Sequence, residues 1–193
     1  MEIITHKINS IRLLKKIPKK YGVEVDLRAY GSKIILNHEP SLGGDTFKNY
    51  LENYNHGTLI LNIKEAGIEE EVLSLVIKNK IKSYFLLDVE MPFLFDIAKK
   101  RKRKIAVRFS EFESIETVKN FKKRAEWIWI DTVTKLPIYK QNISIIKKFK
   151  SCIVCPERWG RKKDIKKYKK KLDQLNFMPD AVMTSFSCIK LWE

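Results

Sequence analysis

Short apolar runs recur along the chain with charged or amphipathic segments between them: IITH (3–6), GVEVDLR (22–28), KIILNHE (33–39), TLILNIK (58–64), SYFLLDV (83–89), KIAVRF (104–109), WIWID (127–131), CIVCPE (152–157) and AVMTS (181–185). Each is short, and most are rich in Ile, Val, Leu or aromatic residues, as strands buried on both faces are. The intervening segments carry helical spacing and start signals. Examples are SIRLLKKI after Asn9, DTFKNYLENY with Asp45 as N-cap, IEEEVLSLVIKNK after Gly67, and SIETVKNFKKR opening on Ser114. KIILNHE follows GVEVDLR across the turn AYGS, where Gly31 can supply a positive φ, so 33–39 reads as a returning hairpin arm. Eight strands then remain, alternating with helices. Parallel pairing through crossovers and closure into a (β/α)8 TIM barrel is the expected fold, an α/β class in a single domain spanning 1–193. The alternative, an open doubly wound sheet, lacks support from a glycine-rich phosphate turn after the first strand.

Length and composition agree with one domain: 193 residues at 44% hydrophobic suffice for a sizeable core. No run approaches the ~18 to 20 apolar residues of a membrane span. MEIITHKINS has no apolar signal core, so a soluble cytoplasmic protein is expected. The net charge of +16 raises the question of nucleic acid. The densest basic run, RKKDIKKYKKK (161–171), interleaves Ile165, Tyr168 and Leu172 at helical spacing, the pattern of a solvated helix face. No dedicated nucleic-acid surface is expected, and a small anionic phosphoester benefits from the same field. Cys152, Cys155 and Cys188 are odd in number with no His near them in sequence, and they read as buried free thiols.

In a barrel the chemistry collects at the carboxyl ends of the strands. The polar residues there are His6, Glu24, Asp26, His38, Asn62, Lys64, Asp88, Arg108, Asp131 and Glu157. Taken singly, Asp88, Arg108, Asp131 and Glu157 read first as caps or ion-pair members. Glu24 and Asp26 differ, because period-two geometry puts both on one face, about 6.5 to 7 Å apart along the strand. Two carboxylates facing a barrel interior need a cation or hydrogen-bond donors, and a hard divalent ion such as Mg²⁺ or Ca²⁺ suits such oxygens. Pairing with Arg28 or Lys33 is the structural alternative. His6 and His38 close neighbouring runs, and imidazole can take a proton from a nucleophile or give one to a leaving oxygen. His56, in NYNHG, reads as a loop residue, and Trp159 and Phe186 as aromatics near later strand ends.

These features together resemble the glycerophosphodiester phosphodiesterase family of phospholipase-C-like barrels. The resemblance rests on H-K at 6–7, E-V-D-L-R at 24–28, G-S-K-I-I-L-N-H-E at 31–39, D-T-F-K-N-Y-L-E at 45–52 and N-I-K at 62–64, all in the first third of the chain. It implies metal-dependent hydrolysis of a small phosphodiester substrate with one divalent cation, Mg²⁺ or Ca²⁺, with Mn²⁺ as a third option. It assigns His6 and His38 as catalytic, Glu24 and Asp26 as metal ligands, and Lys64, with Lys7 and Arg28, as phosphate-binding. Asn62 occupies the position of a further acidic ligand, Lys7 that of the family's usual Arg, and Glu39 that of its usual Asp. The family's Glu-Asn-Thr segment after the first histidine is absent. A phosphate-binding barrel without turnover is the alternative reading, and a basic nucleic-acid binder the third.

Overall fold

A computed structural model describes residues 1–99 and 104–193. The nine strands among them are β1 (Glu2–Thr5), β2 (Gly22–Tyr30), β3 (Lys33–Leu36), β4 (Leu59–Ile63), β5 (Tyr84–Leu87), β6 (Ala106–Phe109), β7 (Trp127–Ile130), β8 (Lys150–Val154) and β9 (Ala181–Thr184). The helices are α1 (Ile11–Leu14), α2 (Phe47–Glu52), α3 (Glu69–Lys78), α4 (Met91–Lys99), α5 (Ile115–Asn120), α6 (Ile143–Ile146), α7 (Asp164–Gln174) and α8 (Ile189–Trp192). With β3 set aside, a strand is followed by a helix eight times, which makes this an α/β chain of the (β/α)8 TIM-barrel class with a hairpin arm after the second strand. The described residues divide into two compact units, Thr5–Leu94 and a second made of Met1–Ile4 with Phe95–Glu193.

In the unit Thr5–Leu94, β2 and β4 run parallel with Val25 beside Leu61 and Asp26 beside Asn62, and β4 pairs with β5 in the same sense. Alternation sends Val23, Val25 and Leu27 to one face together with Leu59 and Leu61, all fully buried. Glu24, Asp26, Ile60 and Asn62 share the other face. The expected hairpin is present: β3 pairs antiparallel with β2, Leu36 opposite Leu27, and Gly31 in the turn has φ of 59°. The capping of α2 departs from expectation, since Thr46 is its N-cap and accepts from the Asn49 N–H. Asp45 instead reaches across the chain and accepts the Ile11 N–H at 2.6 Å, closing the first turn of α1 together with the Ser10 hydroxyl.

In the second unit β6, β7, β8 and β9 form a parallel run, and β7 is buried along its whole length. Ser114 caps α5 as expected. The helix α7 buries Ile165, Tyr168 and Leu172, as the spacing predicts, and turns Lys166, Lys167 and Lys170 outward, while the half-buried Lys169 and Lys171 donate to the Leu191 and Leu136 carbonyls. All three cysteines are buried, and none forms a disulfide. No helix of the described residues is long and apolar enough to cross a membrane.

Candidate active site

The polar face of β2 and β4 gathers a hydrogen-bonded group around its two carboxylates. Where the chain leaves β1, Lys7 takes a left-handed conformation, with φ of 58°. A residue with a Cβ pays about 1–2 kcal/mol for that geometry. Here it accompanies a backbone N–H donated to Glu24 Oε2 at 2.8 Å. Asn62 Nδ2 donates to the other oxygen, Oε1, also at 2.8 Å. Asn9 clasps Asp26 twice, its Nδ2 donating to Oδ2 at 2.7 Å and its Oδ1 accepting the Asp26 N–H at 2.8 Å. The ammonium of Lys64 lies 3.3 Å from Asp26 Oδ1 and 3.5 Å from Asp88 Oδ2. His6 Nε2 stands 3.9 Å from Glu24 Oε2. Thus His6, Glu24, Asp26, Asn62, Lys64 and Asp88 come together, with Lys7 contributing its backbone rather than its exposed side chain.

Electrostatically this group is short of positive charge. Glu24 and Asp26 are each 1% exposed. Burial, and then repulsion from Asp26, push the Glu24 carboxyl up to about 7, against the opposing pull of Asn62, the Lys7 N–H and Lys64. Asn62 Oδ1 is buried without a hydrogen-bond partner. A hard divalent cation is therefore chemically suited to the oxygens of Glu24, Asp26 and Asn62, which are the donor type such ions require. The set carries two formal negative charges, and among the described residues no group of three or more His, Cys, Asp or Glu side chains is arranged to hold a metal.

His38 belongs to the hairpin arm. Its ring Nδ1 is 2.6 Å from Glu39 Oε1, and that pairing holds the Glu39 carboxyl below its usual range. A carboxylate at Nδ1 fixes the tautomer and leaves Nε2 as the reactive nitrogen. Arg28 secures the arm from beneath: its Nε donates to the His38 carbonyl at 2.9 Å and its Nη1 to the Lys64 carbonyl at 3.2 Å, with Glu65 at 3.6 Å. Gly44 lets the returning loop close on the arm, because a Cβ there would stand 2.3 Å from the Leu36 carbonyl oxygen. Gly44→Ala is expected to lower stability by about 1–3 kcal/mol. A chemical melt of the variant reads the loss directly.

Asn9 escaped the sequence reading except as the residue before a helix. The available signal was its spacing: three residues past His6, it follows the turn that leaves β1, and an amide there offers both a donor and an acceptor to a strand-end carboxylate. Because its bond to Asp26 is bidentate, Asn9→Ala is expected to cost about 1–3 kcal/mol, while Asn9→Asp sets a second carboxylate against the first. Unfolding curves for both variants test this order. His56 acts structurally, its Nε2 donating to the Ile17 carbonyl at 2.9 Å. The later strand-end residues satisfy one another within the second unit. Arg108 pairs with Asp131 at 2.8 Å and Glu113 at 3.0 Å, Trp159 Nε1 donates to Asp131 Oδ1 at 3.2 Å, and Glu157 accepts from Thr184 and Ser185.

No protein-family model and no curated protein matches this sequence. Solved structures do match. A glycerophosphodiester phosphodiesterase from Agrobacterium tumefaciens str. C58 superposes with a TM-score of 0.68 at 10% identity, covering 95% of this chain and 96% of its own. A glycerophosphoryl diester phosphodiesterase from Parabacteroides distasonis gives 0.60 at 12% identity, over 94% of this chain and 81% of its own. An Oleispira antarctica phosphodiesterase, in complex with the product sn-glycerol-3-phosphate, gives 0.61 at 17% identity over 95% and 92%. Along almost its whole length, this chain has the (β/α)8 fold of the glycerophosphodiester phosphodiesterases.

Proposed function

We propose that this chain hydrolyses a small phosphodiester of the glycerophosphodiester class. The observation that carries the reading is the grouping of Glu24 and Asp26 on the polar face of β2 and β4 with His6 and Lys64 beside them, in a chain whose fold matches phosphodiesterases, one of them holding sn-glycerol-3-phosphate. Lys64, with Lys7 and Arg28 adding positive potential, attracts and orients the phosphate. One of His6 and His38 takes the proton of the attacking hydroxyl, and the other protonates the oxygen of the breaking P–O bond. Glu39 lies against Nδ1 of His38, and Glu24 stands beside His6. Glu24 and Asp26, with Asn62 Oδ1, would hold one Mg²⁺ or Ca²⁺, which when bound supplies positive charge against the developing charge on a phosphate oxygen.

The direct test offers the purified chain glycerophosphodiesters with different alcohol groups, with Mg²⁺, Ca²⁺ or Mn²⁺ or with chelator. Cation-dependent release of glycerol phosphate is expected. The second reading, a phosphate-binding barrel without turnover, draws on the neutral amide at Asn62 where the resembling family carries an acidic ligand. Calorimetric binding of glycerol 3-phosphate with no cleavage of any panel member would establish it instead. Asn62→Asp restores a third negative charge and is expected to tighten the divalent cation on the order of tenfold or more, read by titration calorimetry with Mg²⁺.

A further inference from the structure

The second unit carries a basic groove that the proposed reaction does not use. It has a volume of about 1310 Å³ and lies along α7 and α8, lined by Lys162, Lys163, Lys166, Lys170, Lys190 and Leu191 among others. The five lysines are exposed, and no ion-pair partner is recorded for them among the described residues. Neighbouring cations are already engaged: Lys167 pairs with Asp164 at 3.0 Å, and Lys169 donates to the Leu191 carbonyl at 3.2 Å. Asp164 and Asp173 also line the groove but are outnumbered, so its ammonium groups repel one another and a dense anionic surface relieves that repulsion.

Apolar side chains stand among and beside these lysines. Leu191, 43% exposed, lies in the groove itself. Phe186, 53% exposed, sits in the turn Phe186–Cys188 against α8. One exposed apolar side chain among the lysines and another beside them match the interface of a bilayer, where the charges meet headgroups and the apolar groups enter the boundary below.

A nucleic acid fits less well. Among the described residues no aromatic ring lines the groove to stack a base, and Arg158 already lies over the Trp159 ring, 5.7 Å from its centroid. The free cations are lysines, which lack the planar fork that reads base edges. We infer that the α7–α8 groove docks this chain onto a bilayer rich in anionic phospholipid, as a peripheral contact independent of the reaction proposed above.

The test is co-sedimentation of the full chain with vesicles of neutral phosphatidylcholine, with and without 30% phosphatidylglycerol. Binding is expected only to the anionic vesicles, falling steeply between 0.1 and 0.5 M NaCl. Replacing Lys163, Lys166, Lys170 and Lys190 together by Glu is expected to weaken it at least about hundredfold, since each lysine near a charged surface contributes about fivefold. Because the four side chains are exposed, circular dichroism should show an unchanged fold. The double variant Leu191→Ser with Phe186→Ser is expected to reduce binding several-fold at constant salt, an effect that charge attraction alone would not give. Equal affinity for both vesicle types, indifference to the lysine changes, or tighter binding to a DNA duplex or single-stranded RNA at the same salt would each overturn the assignment.

Discussion

His6→Ala and His38→Ala are each expected to reduce phosphodiester hydrolysis by about 10²- to 10⁴-fold, the range that positioned proton transfer contributes. Both side chains are partly exposed, 22% for His6 and 42% for His38, so their truncation removes little packing and both variants should melt close to the parent. The loss should fall on kcat, with KM changing little, because Lys64, proposed to hold the phosphate, is untouched. A substrate with a good leaving group separates the two roles. The variant lacking the general acid should recover most of its rate on such a diester, since the departing oxygen no longer needs a proton, whereas the variant lacking the base should not. If His38→Ala keeps more than a tenth of the parent rate, the hairpin arm is a wall of the site and the pairing with Glu39 is structural.

Stability against pH offers the second large effect. The Glu24 carboxyl titrates at about 7 in the folded chain, against 4.5 for an ordinary glutamate. Between those values the folded state holds a proton that the unfolded state has released, so stability falls as pH rises. The contribution is fully present below 4.5 and is lost as pH passes through 7. The 1% exposure of Glu24 leaves little solvent to screen it. The difference corresponds to about 3 kcal/mol, measured in chelator, and urea unfolding from pH 5 to pH 8 reads it. Glu24→Gln isolates it from other titrations, because the variant lacks the group and its curve should be flatter by that amount. Gln tolerates the site: its oxygen can accept the Lys7 N–H, and a flipped Asn62 can turn its otherwise unpartnered Oδ1 to the new amide. Added Mg²⁺ should flatten the parent's slope, since a cation favours the charged carboxylate. A parent and variant with parallel curves in chelator would mean that Glu24 is charged throughout and balanced by Lys64.

The fold was legible because hydrophobic periodicity is a local property. Alternation in GVEVDLR puts Glu24 and Asp26 on one face whatever surrounds them, and Gly31 in the AYGS turn marks the hairpin before any partner is known. The amphipathic spacing of Ile165, Tyr168 and Leu172 likewise specifies the buried side of α7. Capping was less legible. DTFKNYLENY offers two adjacent cap residues, and only the docking of α1 decides that Thr46 caps its own helix while Asp45 serves Ile11, 34 positions away.

By itself, then, the sequence determined the alternation of strands and helices, the hairpin, and the polar face bearing Glu24, Asp26 and Asn62. The tertiary structure alone decided who satisfies those groups. The parallel register puts Asn62 beside Asp26, yet its amide turns to Glu24, a residue 38 positions earlier. Lys7 enters through a left-handed backbone N–H, Asn9 clasps Asp26 across 17 positions, and Arg28 is committed to the carbonyls of His38 and Lys64. Periodicity says which way a side chain points, but a hydrogen bond also needs its partner within about 3 Å, and that distance is set only when separate segments pack.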